Sequence, residues 1–275
     1  MSVTYPLGFR AGGIQAGLRT TPGLDLALIV NDGPADVVAG VFTTNRVCAA
    51  PVQWSRHATA DHKARAVIVN AAVANACTGI DGFADCDITF SRVDSDACMS
   101  TNDTVVAMAS GASGISLTGD ELTDALTELC AILARQLVAD AEGSHHDVKV
   151  TVTGAISTEA AVAVAREVTR SNLVKTAIAG NDPNWGRILA AIGCVPENVA
   201  PFDPDQVDVS INDIQICKAG GIGEDRNLVD MRPREVHIDI ELHAGDAEAA
   251  VWTNDLTHQY VEELSLIHIS EPTRR

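Results

Sequence analysis

"VKVTVTGAISTEAAVAVAREV", Val148 to Val168, sets two periodicities side by side and decides the fold. From Val148 to Ala155 apolar and polar residues alternate, as in a strand with one face buried. Beyond them Ala161, Val164, Ala165 and Val168 recur at helical spacing and share a face.

Strands lie on both sides of this unit. Downstream, "VDVSI" and "IQIC" flank Asn212-Asp213, the two-residue spacing of a tight hairpin. "EVHIDIELHAGDAEAAVW" puts Val236, Ile238, Ile240 and Leu242 on one face, turns at Ala244-Gly245-Asp246 and continues as another strand. Upstream, Thr118 and Glu121 are spaced as a capping box. The stripe Leu122, Ala125, Leu126, Leu129, Leu133 and Leu137 that follows predicts a helix packed into the core. Earlier still, "LDLALIV" (Leu24 to Val30) and "VVAGVFTT" (Val37 to Thr44) read as strands around the turn residues of "NDGPAD". "ARAVIVNAAVANACTG" starts as a buried strand and ends in small residues, which suit close approach by a ligand or tight internal packing. Composition does not choose between the two. With strands, then helices, then strands and no internal repeat, a layered α/β or α+β sandwich fits better than a doubly wound sheet.

Composition excludes whole classes of function. The 275 residues are 46% hydrophobic and 20% charged, in the range of folded globular chains. Only 4% are aromatic, so Ala, Val, Ile and Leu must build the core. A formal net charge of −18 repels phosphate backbones and argues against nucleic acid as a partner. No apolar run approaches the roughly 20 residues that span a bilayer, and "MSVTYPLGFRAGG" has no basic n-region with an apolar block. The expected location is the cytoplasm. Seven scattered cysteines with no CxxC pair agree, and read as buried structural thiols. The adjacent His145 and His146 suit a surface turn better than metal ligation, so no metal site is expected.

The densest polar run is "GNDPNWGR", Gly180 to Arg187. Asp182 is placed to cap a helix with Pro183 at its first position, and "RILAAIG" supplies a short helix ended by Gly193. A helix N-terminus also favours anions such as substrate carboxylates. Spacing supports a capped helix start with Trp185 as an anchor and goes no further.

Resemblance goes further. "LVKTAIAGNDPNWGRILAAIG" closely resembles a signature of the ornithine acetyltransferase family, also called bifunctional glutamate N-acetyltransferase (ArgJ). "GFRAGGIQAGLR", "DLALIVNDGPADVVAGVFTTNRVCAAPV", "ANACTG", "MSTNDTV", "DAEG" and "TNDLTHQYVEE" resemble the same family in the same order, up to Glu263. The resemblance implies an α+β layered sandwich of the DmpA/ArgJ-like N-terminal-nucleophile superfamily. It implies self-scission before a threonine, whose freed amine activates its own hydroxyl. That threonine takes acetyl from N-acetylornithine and passes it to glutamate, by a ping-pong route in arginine biosynthesis. An oxyanion hole stabilises the tetrahedral intermediates. No cofactor is implied, although acetyl-CoA is an alternative acetyl donor. Members assemble as two copies of each processed subunit. An aminopeptidase relative of the same superfamily is the competing reading, and the arginine-pathway signatures argue against it.

Several departures follow. No block resembling Lys-Gly-x-Gly-Met and then Ala-Thr-Met-Leu occurs in the sequence, and the Ser-Thr-Gly oxyanion stretch is missing. The family's order jumps between "ACTGIDGFAD" and "DITFSRVDSDACMSTNDTV", which implies a deletion near Cys86. Residues 1–85 then correspond to the N-terminal part of the family's first subunit and 86–263 to the C-terminal part of its second. The tail 264–275, "LSLIHISEPTRR", resembles no family sequence and is set apart from the fold. "NAAVAN" stands where the family has Asn-Ser-Gly-Asn-Ala-Asn, and "SHHD" where it continues with Thr-Lys. Among matched positions, Glu142 is expected to bind a substrate amino group. Asn102, Asp103, Asp182, Asn184 and Arg187 are expected to shape the site. No catalytic residue carries over. A sandwich without its central segment should leave apolar faces uncovered, and poor solubility is expected.

Overall fold

The computed structural model describes residues 2–17, 22–46, 48–70, 92, 94–95, 100 and 102–270. The chain divides into two compact units that interleave in sequence: Met1–Ile88 with Met99–Glu128, and Thr89–Cys98 with Leu129–Arg275.

The first unit carries β1 (Phe9–Ile14), β2 (Leu26–Asn31), β3 (Val37–Phe42), the helix α1 (Ala50–Ala58), β4 (Ala66–Asn70) and β5 (Thr104–Ala109). The predicted strands form, but β2 and β3 do not pair with each other. β2 lies between β1 and β4 in an antiparallel three-stranded sheet, and β3 pairs with β5. Asn31 explains the parting. It is buried in the predicted turn, where its side chain accepts from the Gly33 amide at 3.0 Å and donates to the Ala35 carbonyl at 3.1 Å. These bonds close the turn upon itself instead of extending a ladder. Leu28 stands opposite Gly12 on one side and Ile68 on the other. Ile14, Leu28 and Ile68 are all exposed on this one face. The small-residue stretch that follows β4 lies outside the described residues.

The helix α2 (Gly119–Ala139) begins as predicted. The Thr118 amide donates to Glu121 Oε2 at 2.9 Å, and the Glu121 amide donates back to Thr118 Oγ1 at 3.3 Å. Its buried face differs from the predicted one. Cys130, Ala134 and Val138 are buried, whereas Leu122, Leu129, Leu133 and Leu137 are exposed. Periodicity identified an apolar stripe correctly, but the helix is rolled so that the neighbouring, smaller stripe faces inward.

The second unit is a six-stranded sheet in the order β11-β6-β10-β7-β8-β9. It is built from β6 (Asp147–Ala155), β7 (Asp208–Ile211), β8 (Ile214–Lys218), β9 (Gly221–Ile222), β10 (Glu235–Glu241) and β11 (Ala247–Asn254). β6 alternates as read, with Val148, Val150 and Val152 fully buried. It runs parallel to β10 and antiparallel to β11, so it separates two strands that are consecutive in sequence. α3 (Thr158–Arg170) starts at Ser157, whose side chain accepts from the Ala160 amide, and packs across β6 and β11. Ala161, Val164, Ala165 and Val168 meet Val236, Ile238, Ile240 and Leu242 in one core, the two predicted faces brought together. The β7–β8 hairpin turns through Asn212 and Asp213 at φ 47° and 68°, the left-handed pair that a two-residue turn requires.

α4 (Asn172–Ala179), α5 (Trp185–Ile192) and α6 (His258–Ser270) complete the unit. α6 runs into the tail set apart from the fold and includes residues 264–270. The reason is local: "LSLIHIS" contains neither Gly nor Pro to stop the helix, and the first breaker is Pro272. No helix among the described residues is long and apolar enough to cross a membrane.

Candidate functional site

The signature run sits where α4 hands over to α5. Gly180 ends α4, Asn181 takes a left-handed φ of 51°, and the Asp182 amide donates to the Ala177 carbonyl at 2.8 Å. Asp182 therefore still belongs to the end of α4 and does not cap the next helix. Asn184 does: its Oδ1 accepts from the Arg187 amide at 3.2 Å, and α5 starts at Trp185, two residues beyond the predicted start at Pro183. Asn184 Nδ2 also donates to Asp182 Oδ2 at 2.9 Å, and Asp182 pairs with Arg226 at 3.1 Å. Arg187 reaches back to α4, donating to the Leu173 carbonyl at 2.8 Å and toward Thr176 Oγ1 at 3.4 Å. Asp182, Asn184 and Arg187 thus spend polar atoms on one another, on Arg226 and on the two helices. Trp185 packs on the core as the predicted anchor.

Glu142 lies in the turn between α2 and β6, with its side chain exposed. No cation pairs with it among the described residues. Gly143, beside it, has φ +61°, and a Cβ there would meet the Tyr260 amide nitrogen at 2.3 Å. Its carbonyl accepts from Thr257 Oγ1 at 2.6 Å. His145 is exposed, as a surface turn predicts. His146 is not; it is buried between Asp255 and the Met231 carbonyl. Sequence reading missed Asp255, which is fully buried, because nothing in "TNDLT" announces a partner more than a hundred residues away.

Asn102 and Asp103 belong to the first unit, at the entry to β5. The Asn102 amide donates to Ser100 Oγ at 3.2 Å, and the Asp103 carbonyl accepts from the Thr43 amide at 2.8 Å. Among the cysteines, Cys48, Cys130 and Cys217 are buried as expected, and Cys77, Cys86 and Cys98 lie outside the described residues. Burial pushes the Cys217 thiol up, and Asp208 adds to it, so this thiol stays protonated and unreactive. Cys194 departs from expectation. It follows the last turn of α5 and is exposed, its thiol directed at the Ala190 carbonyl. Among the described residues no group of three or more His, Cys, Asp or Glu could hold a metal ion.

A mixed sheet with helices packed across it defines a layered α/β fold. The ArgJ family model matches residues 10–88 and 84–265. The arginine biosynthesis bifunctional protein ArgJ of Bifidobacterium longum is 40% identical over 383 residues, covering 95% of this chain and 98% of that protein. Its counterpart from Thermobifida fusca is 36% identical over 382 residues, covering 96% of this chain and 99% of that one. The crystal structure of the arginine biosynthesis bifunctional protein argJ from Bacillus halodurans is 34% identical with a TM-score of 0.59, over 64% of this chain and 86% of that chain. The chain belongs to the ArgJ family. The aligned spans are longer than the 275 residues of the chain, so each relative holds a long stretch that faces no residue here.

Proposed function

We propose that this chain derives from an ornithine acetyltransferase, which transfers acetyl from N-acetylornithine to glutamate, and that it has lost the means to begin that reaction. One observation carries the reading: the family match falls into two runs that meet at residues 84–88. There the sequence passes through the single residue Cys86 from "ACTGIDGFAD" to "DITFSRVDSDACMSTNDTV". The nucleophilic threonine and the oxyanion stretch would lie in the missing interval, and no block like theirs occurs elsewhere. Residues 1–85 represent the N-terminal part of the ancestral first subunit and 86–263 the C-terminal part of the second.

Without a hydroxyl activated by its own terminal amine there is no acetyl acceptor on the protein, and the ping-pong cycle has no first half. What remains is recognition. An exposed Glu142 carboxylate with no ion-pair partner among the described residues suits the ammonium group of ornithine or glutamate. Asp182, Asn184 and Arg187 hold the α4–α5 corner, and Asn102 and Asp103 shape the entry to β5. In the ancestral enzyme acetyl-CoA is an alternative acetyl donor, and the assembly is two copies of each processed subunit. A cytoplasmic location belongs to the same reading.

The test is to incubate the purified chain with N-acetylornithine carrying a labelled acetyl group, denature it, and count label on the polypeptide. No retained label, no acetylglutamate and a single uncut band are expected. A stably acetylated chain, or one that splits in two, would show that another residue serves as nucleophile.

A further inference from the structure

We propose that His146 and Asp255 form a positioning pair for the Glu142 turn, holding that carboxylate where it can receive the ammonium group of a basic amino acid. This rests on the role given to Glu142 above. Six of the seven residues between α2 and β6 are tied down by hydrogen bonds within the second unit. Asp255 is the hub. Its Oδ1 accepts from the His145 amide at 2.9 Å, the His146 amide at 3.1 Å and Ser144 Oγ at 3.4 Å. Its Oδ2 lies 2.7 Å from His146 Nδ1. The other ring nitrogen, Nε2, lies 2.9 Å from the Met231 carbonyl oxygen.

Each ring nitrogen therefore faces an atom that only accepts. A neutral imidazole has one N–H and satisfies one such contact; the imidazolium satisfies both. The pair thus ties a buried ring to a buried acidic side chain, whose other oxygen is spent on the backbone of the turn. Gly143 supplies the last constraint, its left-handed φ and its carbonyl bond to Thr257 bringing the chain against the start of α6. Glu142 faces solvent, with no ion-pair partner among the described residues. The arrangement keeps a carboxylate extended from a turn whose shape is fixed from below, so little conformational freedom is lost when a ligand ammonium arrives.

The experiment titrates the full chain with L-ornithine by calorimetry and follows amide hydrogen exchange across residues 141–146, in the wild type, His146→Ala, His146→Lys and Glu142→Ala. His146→Ala is expected to weaken ornithine binding about tenfold and to speed exchange of the His145 and His146 amides. His146→Lys, whose ammonium can donate to Asp255, is expected to recover both. A folded His146→Ala protein that binds and exchanges like the wild type overturns the proposal, and failure of His146→Lys to recover either property overturns the role of a donor to Asp255. Ornithine binding that is absent, or unchanged in Glu142→Ala, removes Glu142 as the receptor; the exchange rates then still decide whether the pair sets the turn. Should His146→Ala not fold, Asp255→Asn keeps an acceptor for the amides but gives up the charge. The same two losses are expected of it, and wild-type values count against the pair.

Discussion

Two adjacent residues of α2 separate the buried face from the face that periodicity suggested. Leu137 is 58% exposed and Val138 is 1% exposed. Fully burying a leucine contributes about 2 kcal/mol, so a side chain left more than half in water holds less than about 1 kcal/mol. Glutamine keeps part of the aliphatic stem, and Leu137→Gln should cost under about 0.5 kcal/mol. Val138→Ala removes two methyl groups from a closed site and leaves a void, for about 2 kcal/mol. In a chain of this size the valine change lowers the melting temperature by about 5 °C and the leucine change by about 1 °C. Urea unfolding of the two variants at one pH measures the difference. A triple Leu129→Gln, Leu133→Gln, Leu137→Gln variant should also scatter less light at high concentration, because it removes a continuous exposed apolar stripe. If Leu137→Gln unfolds at lower urea than Val138→Ala, the leucine stripe is the core and the roll of α2 described above is wrong.

Two further outcomes are expected. Asn184→Ala removes the cap of α5 and should destabilise by about 1 kcal/mol, whereas Arg226→Ala, which breaks only a half-exposed ion pair with Asp182, should cost under about 0.5 kcal/mol; the reverse order in thermal melts would return the cap to Asp182. At Asp208, burial pushes the carboxyl up, but the Ala219 amide and the His243 ring outweigh it and hold it below the ordinary 3.8. A carboxyl lowered on folding adds stability above its unfolded value and loses it as pH falls through the folded one. Asp208→Asn should therefore flatten the melting curve's decline below pH 3.8, and an unchanged acid limb would show that the carboxylate contributes nothing.

Legibility followed the range of the interaction. β6 and α3 could be read because each buries one clean face, and the β7–β8 hairpin because Asn212 and Asp213 tolerate left-handed backbone. The roll of α2 could not, since a stripe states which residues share a side and not what lies against it. The start of α5 was displaced because two capping residues stand two apart, and the bond from Asp182 to Ala177 gives the first of them to α4. His146 read as a surface residue because its partners, Asp255 and Met231, are remote in sequence. At the candidate site, motif likeness found the positions, while the bonds that hold Asn184, Arg187 and the Glu142 turn appear only once the helices are in place.

The insertion of β6 between β10 and β11 has a consequence for biosynthesis. The ribosome releases residues 147–155 long before residues 235–254, their neighbours on both edges. At about 5–20 residues per second, the nascent strand waits several seconds with its valines unsatisfied and both hydrogen-bonding margins open. During that interval it is a target for chaperones and for other growing chains, so translation speed over the hundred or so codons between β6 and the end of β11 bears on how much polypeptide survives to close its sheet.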